Sequence, residues 1–123
     1  MGFLAVGLGG ALGAMLRYGI SLLPYRGTFP LLTLITNLLG AILIGFVVGA
    51  AAARPISQST VLFLKTGVCG GFTTFSTFSL EAYTLLQRGH GSLALLYALC
   101  SVVLCLAGVA IGMVAARLLP TQS

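Results

Sequence analysis

The chain has 123 residues, of which 59% are hydrophobic and only 6% charged, with a mean hydropathy of +1.14. Soluble domains carry about a quarter charged residues, so this composition excludes a water-covered globule and makes lipid the natural solvent. The net charge of +5 comes from six Lys/Arg against one acid, scattered singly and without the basic patch or run expected of a nucleic-acid binder.

A membrane helix needs about 20 mostly apolar residues, so the length allows four such helices and no separate soluble domain. The first segment covers about 2–23 and holds one charge, Arg17. A secretory signal would place basic residues ahead of its apolar run. None precedes Arg17 and three further segments follow, so this stretch is expected to be a span. A loop with Pro24, Arg26 and Gly27 leads to an uncharged second segment at about 31–53. Arg54-Pro55 closes it, because proline disfavours helix in the residue before it. The third segment, about 60–86, ends at the turn Arg88-Gly89-His90-Gly91, and the uncharged fourth covers about 92–116, with Pro120 beyond. The expectation is an all-α membrane protein with a single four-helix unit over residues 1–123. Gly9 with Gly13, Gly45 with Gly49, and Gly108 with Gly112 are four apart. Each pair shares a helix face and permits close backbone approach.

With four crossings, both termini and the loop between segments two and three lie on one side. That side has Arg54, Arg117 and, nearby, Lys65, whereas the other has Arg26, Arg88 and, nearby, Arg17. So even a balance gives the positive-inside rule no direction. It suits a chain that inserts both ways, with oppositely oriented copies pairing about an in-plane two-fold axis. A single orientation set by weaker cues is the alternative.

The third segment contains Gly67-Val68-Cys69-Gly70-Gly71-Phe72-Thr73-Thr74-Phe75-Ser76-Thr77-Phe78-Ser79, a glycine pair followed by five hydroxyl side chains and three phenylalanines. Gly-Gly weakens a helix and hydroxyls compete for backbone groups. A helix broken near mid-membrane is therefore expected, its freed carbonyls able to hold a hard cation and its half-helix N-terminus favouring an anion. An intact helix with hydroxyls bonded to its own carbonyls is the alternative. Phe75 and Phe78 share a face, either as core packing or as ring edges turned toward an anion. Asn37, one turn after Thr33, needs partners at its depth, as interhelical glue or as a donor to an ion. Glu81 is the only acid in the chain, and an intramembrane carboxylate is a functional candidate by default. Arg17 is read as snorkelling or capping helix carbonyls. Tyr97, Ser101 and Cys105 form a four-residue stripe that either packs or lines a pathway. Cys69, Cys100 and Cys105 lie in apolar segments without a CxxC spacing, and His90 has no partner cluster, so neither a disulfide framework nor a transition-metal site is expected. With no nucleophile–base pair, an enzyme is not expected either.

These motifs together resemble the small dual-topology fluoride channel family, often called Fluc or CrcB. The stretch Gly67 to Glu81 resembles its G-x-x-G-G-x-T-T-F-S-T-F-S-x-E signature, Gly9-Gly10-x-x-Gly13 with Arg17-Tyr18 its first-helix pattern, and Thr33 to Gly40 its second-helix stretch. The resemblance covers essentially the whole chain. It implies a passive, multi-pass channel in the cell (inner) membrane that exports fluoride and protects the cytoplasm, working as an antiparallel homodimer in lipid with two pores. It implies a structural sodium ion on the carbonyls of Gly70 and Thr73, and a fluoride path along Asn37, Phe75, Phe78, Tyr97 and Ser101. Arg17, Thr74, Ser76, Thr77 and Glu81 would support that path. Leu32, Thr36, Cys105 and Val109 depart from the family pattern, and the last two make the fourth-helix track less polar. A small multidrug exporter is the main rival, but the first segment has no acid for proton coupling and the chain no Trp. A non-transporting assembly subunit would not need costly polar residues at membrane depth.

Overall fold

The computed structural model describes residues 2–120; Met1 and 121–123 of the expected 1–123 unit lie outside the described residues. Among the described residues the chain is helical with no strand. Helix α1 is Gly2–Ser21 and α2 is Leu31–Ala53. Helix α3 covers 58–72: Gln58–Val61 and Gly70–Phe72 are α-helical, whereas Leu62–Cys69 between them is π-helical. Helix α4 is Phe75–Gln87 and α5 is Gly91–Leu118. Helices α1, α2 and α5 are each long and apolar enough to cross a membrane. Helices α3 and α4 make a fourth stretch, interrupted at Thr73–Thr74.

The helix ends follow from local chemistry. Arg54 closes α2 in an extended conformation (φ −141°, ψ 153°), as the following Pro55 dictates. Ser57 caps α3, its Oγ accepting from Thr60 N–H at 3.2 Å. Helix α4 ends in a Schellman motif: His90 N–H donates to Leu85 O at 2.8 Å and Gly89 N–H to Leu86 O at 3.2 Å. Gly89 takes the left-handed conformation (φ +82°) that this motif requires and that a Cβ would strain.

Two glycine seams hold the helices together. In the first, α1 lies along α3. A Cβ at Gly13 would come within 2.7 Å of Phe72 N, and one at Gly71 within 3.0 Å of Gly10 Cα. In the second, α2 lies along α5, and a Cβ at Gly112 would come within 2.7 Å of Phe46 N. Backbone thus meets backbone in both seams, where dispersion and shape rather than expulsion of water drive association. Helix α4 rests on α5 through a small core of Leu34, Leu85, Ala94 and Tyr97, with Phe29 and Phe78 packed against it. The outer faces are apolar. On α1 only Gly9 and Gly13 are buried, while Phe3, Leu4, Leu8, Leu12, Met15 and Leu16 point outward. A surface of this kind is untenable in water and native to a bilayer.

The helix gives way three residues later than the glycine pair suggests. Gly70 and Gly71 are both helical, and the extended residues are Thr73 (φ −87°, ψ 155°) and Thr74 (φ −149°, ψ 115°). Gly71 serves the α1 seam instead, and the break lies where side chains from other helices can take over the backbone's hydrogen bonds.

Candidate functional site

At membrane depth each backbone group freed by a break needs a partner. Cys69 O accepts both the Thr73 N–H at 3.0 Å and the Thr73 hydroxyl at 2.8 Å. Thr74 N–H turns away from the helix and donates to Asn37 Oδ1 at 2.9 Å, while Asn37 Nδ2 donates to Thr74 O at 3.3 Å. The carboxamide of α2 therefore replaces a helical rung on both sides of one residue. Gly71 O accepts from Arg17 Nε at 3.0 Å, which gives Arg17 the carbonyl-capping position read from the sequence. Thr74 Oγ1 starts α4 by accepting from Thr77 N–H at 3.1 Å. It also donates to Thr77 Oγ1 at 3.0 Å and lies 3.2 Å from Ser76 Oγ.

Two carbonyls remain. The regular partner of Gly70 O is Thr74 N–H, now given to Asn37; that of Thr73 O is Thr77 N–H, now given to the Thr74 hydroxyl. Among the described residues no donor reaches either oxygen. Gly70 also borders open space, since a Cβ there would meet nothing within 4 Å.

The break opens on a groove of about 750 Å³ running between α2, α3, α4 and α5, bordered by Asn37, Gly70, Thr73, Phe75, Phe78 and Ser101 among others. Phe75 is 79% exposed beside it. A row of rings leads inward from there. Phe75 and Phe78 have centroids 5.6 Å apart and are tilted by 44°, and Phe78 and Tyr97 are 4.9 Å apart at 54°. Phe29 meets Tyr97 edge-on at 5.5 Å and 77°. Tyr97 is fully buried and Ser101, one turn further on α5, is buried too. Among the described residues neither the Tyr97 nor the Ser101 hydroxyl makes a well-formed hydrogen bond, although the Thr33 hydroxyl lies close to that of Tyr97. Helical serines and threonines ordinarily bond back to the i−4 carbonyl. Here Thr36 does so to Leu32 O at 2.7 Å, Ser79 to Phe75 O at 2.9 Å and Thr84 to Leu80 O at 2.8 Å, but Ser101 does not.

Glu81 faces α2, where its carboxylate accepts from the Thr33 hydroxyl at 2.5 Å. A second cavity of about 300 Å³ is lined by Arg17, Tyr18, Thr33, Thr36, Thr74 and Thr77 among others. Thr74 borders both cavities. Of the residues singled out in the sequence, Arg17, Asn37, Gly70, Thr73, Thr74, Phe75, Thr77, Phe78, Ser101 and Cys105 border one cavity or the other, whereas Glu81 lies on Thr33 and neither Cys100 nor His90 borders either cavity. Two others join them. Phe29 closes the ring row, and its one signal is an apolar residue just ahead of Pro30 and α2. Lys65 borders the groove, although the sequence pattern marks it only as a topological charge.

A multi-pass helical membrane protein with a span broken among hydroxyls, rings and free carbonyls has the architecture of a membrane transport protein. The chain belongs to the CrcB family: residues 4–113 match the family described as CrcB-like protein, Camphor Resistance (CrcB). It is 48% identical over 111 residues to the fluoride-specific ion channel FluC of Methylobacterium sp. (strain 4-46), covering 88% of this chain and 90% of that one. It is 48% identical over 117 residues to the protein of the same name from Paracoccus denitrificans (strain Pd 1222), covering 94% of each. With fluoride-specific ion channel FluC 2 of Bacillus subtilis (strain 168) it shares 50% identity over 102 residues, 80% of this chain and 75% of that one. These relatives are channels by name, and the protein is not an enzyme.

Proposed function

We propose that the protein is a fluoride-selective passive ion channel that exports fluoride across the inner membrane and relieves its toxicity in the cytoplasm. It works as an antiparallel, dual-topology homodimer of four-span subunits, with two pores and a central structural sodium ion. The observation that carries this reading is the pair of buried hydroxyls of Tyr97 and Ser101, one helical turn apart, which make no well-formed hydrogen bond among the described residues, Ser101 having no donor or acceptor near it and Tyr97 only the Thr33 hydroxyl. An unsatisfied buried donor costs about 1–3 kcal/mol. Two in a row are explained by an acceptor that passes rather than stays. Fluoride is small and strongly hydrated, and conduction needs sites that replace its water yet release it. Neutral hydroxyls supply such moderate donors. So do the edges of Phe75 and Phe78 and the second Nδ2 hydrogen of Asn37, whose first is held by Thr74 O. Thr74, Ser76 and Thr77 keep the break in shape, Arg17 holds Gly71 O, and Glu81 with Thr33 lies near Tyr97, further along the ring row from the exposed Phe75.

The donor set fits sodium. Among the described residues no donor reaches Gly70 O or Thr73 O, oxygen is the ligand that hard cations take, and Gly70 borders open space. These two carbonyls from each copy would hold the ion, which would supply a fixed positive field at the dimer centre. The balance of Lys/Arg between the two sides supports insertion in both orientations, and a second copy would wall the groove.

The test is anion release from liposomes holding the purified protein, followed with a fluoride electrode and a parallel chloride control. Rapid fluoride release without chloride release, and without a proton gradient, is expected. No fluoride release from folded protein would overturn the reading.

A further inference from the structure

We propose that Lys65 is a throughput-determining residue: its ammonium is the anion-attracting charge of the groove at the end away from Glu81. This rests on the channel reading and adds a residue to it.

Lys65 borders the same groove as Ser101, Cys105 and Val109. The last three lie four apart on α5 and so follow one another along one helix face. From Tyr97 to Val109 this face covers about 18 Å at 1.5 Å per residue. Along it the hydroxyls run out: Tyr97 and Ser101 carry them, Cys105 offers a weak thiol and Val109 nothing. Lys65, on the facing helix, borders the stretch where neutral donors are missing.

The charge has no counterion in the chain. Glu81 is the only acid, and it is bonded to Thr33 in the first turn of α2. Ile44 and Val109, which border the groove with Lys65, belong to the later turns of α2 and α5. Lys65 makes no ion pair or hydrogen bond among the described residues. Lys65 and Gly70 both border the groove. Thr73 lies eight positions beyond Lys65, about 12 Å of helix rise. At that range a charge acts on an anion through its field, raising the local concentration without holding the ion at a binding contact.

Field action has a signature that a packing role lacks, namely dependence on salt. The Debye length is about 30 Å at 0.01 M ionic strength and about 3 Å at 1 M. Fluoride efflux is to be measured for the reconstituted full chain at both strengths, adjusted with an impermeant salt, for the natural protein, Lys65→Gln, Lys65→Glu and Lys65→Arg. Neutralisation is expected to lower efflux on the order of three- to tenfold at low salt and to leave it near parity at high salt. Lys65→Glu should fall further, and Lys65→Arg should restore the salt-dependent part. Lys65→Met serves the same test where the glutamine variant does not fold, with elution volume and melting temperature as the folding readout. Equal efflux for natural protein and Lys65→Gln at low salt would overturn the proposal and mark a lysine that reaches lipid phosphate instead. A loss equal at both strengths and not rescued by arginine would overturn it too. If the natural protein releases no fluoride at all, the channel reading itself falls and takes this proposal with it.

Discussion

Replacing Tyr97 with phenylalanine separates what the hydroxyl does for the fold from what it does for the ion. The residue is fully buried, its ring is gripped by Phe29 and Phe78, and its hydroxyl makes no well-formed hydrogen bond among the described residues, with only the Thr33 hydroxyl close by. The substitution keeps the ring and removes an unsatisfied donor. A partnered buried hydroxyl would contribute about 0.5–1.5 kcal/mol, so its loss would destabilise; an unpartnered one costs about 1–3 kcal/mol, so its loss should stabilise. Tyr97→Phe is therefore expected to raise the melting temperature of the detergent-solubilised protein, by about 3–6 °C for each kcal/mol recovered. The same variant should lower fluoride efflux, because a donor leaves the α5 stripe. A lower melting temperature would show that the hydroxyl has a protein acceptor, and efflux equal to that of the natural protein would remove Tyr97 from the path. Ser101→Ala is the matching control on the next turn.

The two glycines of the signature should respond in opposite ways to alanine. Gly70→Ala meets open space and should fold normally, whereas Gly71→Ala places a Cβ within 3.0 Å of Gly10 Cα and should fail to yield stable protein, read by yield and elution profile. Asn37→Asp keeps the acceptor for Thr74 N–H but sets a carboxylate against Thr74 O and against any anion nearby. Efflux should be abolished, and unchanged efflux would take Asn37 out of the pore. Exchanging sodium for a large organic cation during purification should lower the melting temperature, since a ligand bound only to the folded state stabilises it. A melting curve indifferent to sodium would leave Gly70 O and Thr73 O without their proposed ligand.

What a single sequence reveals here depends on whether the cause is local. The glycine pairs on α1, α2 and α5 are local marks, and each lies where another helix comes closest. The break is not local. The residues that fix it at Thr73–Thr74 are Asn37 and Arg17, which lie 37 and 54 positions from their partners in the chain. The glycine pair, weak in helix propensity, was the visible signal, but its conformation was settled by α1. The stripe of Tyr97, Ser101 and Cys105 is plain from its spacing. That two of its hydroxyls make no well-formed hydrogen bond depends on what packs around them, which spacing does not encode. The place of Lys65 beside the groove follows from which helices surround it, which no local residue pattern encodes.

The glycine seams also have a mechanical consequence. Where backbone touches backbone there is no side chain to rotate, so α1 with α3 and α2 with α5 behave as two stiff planks. Between them the ties at the break run through side chains: Asn37 to Thr74, and Thr73 Cγ2 packed on Gly40. Movement between the planks is therefore taken up by side chains that can rotate, the Asn37 carboxamide among them. The groove proposed to pass an ion lies along this seam of rotatable side chains.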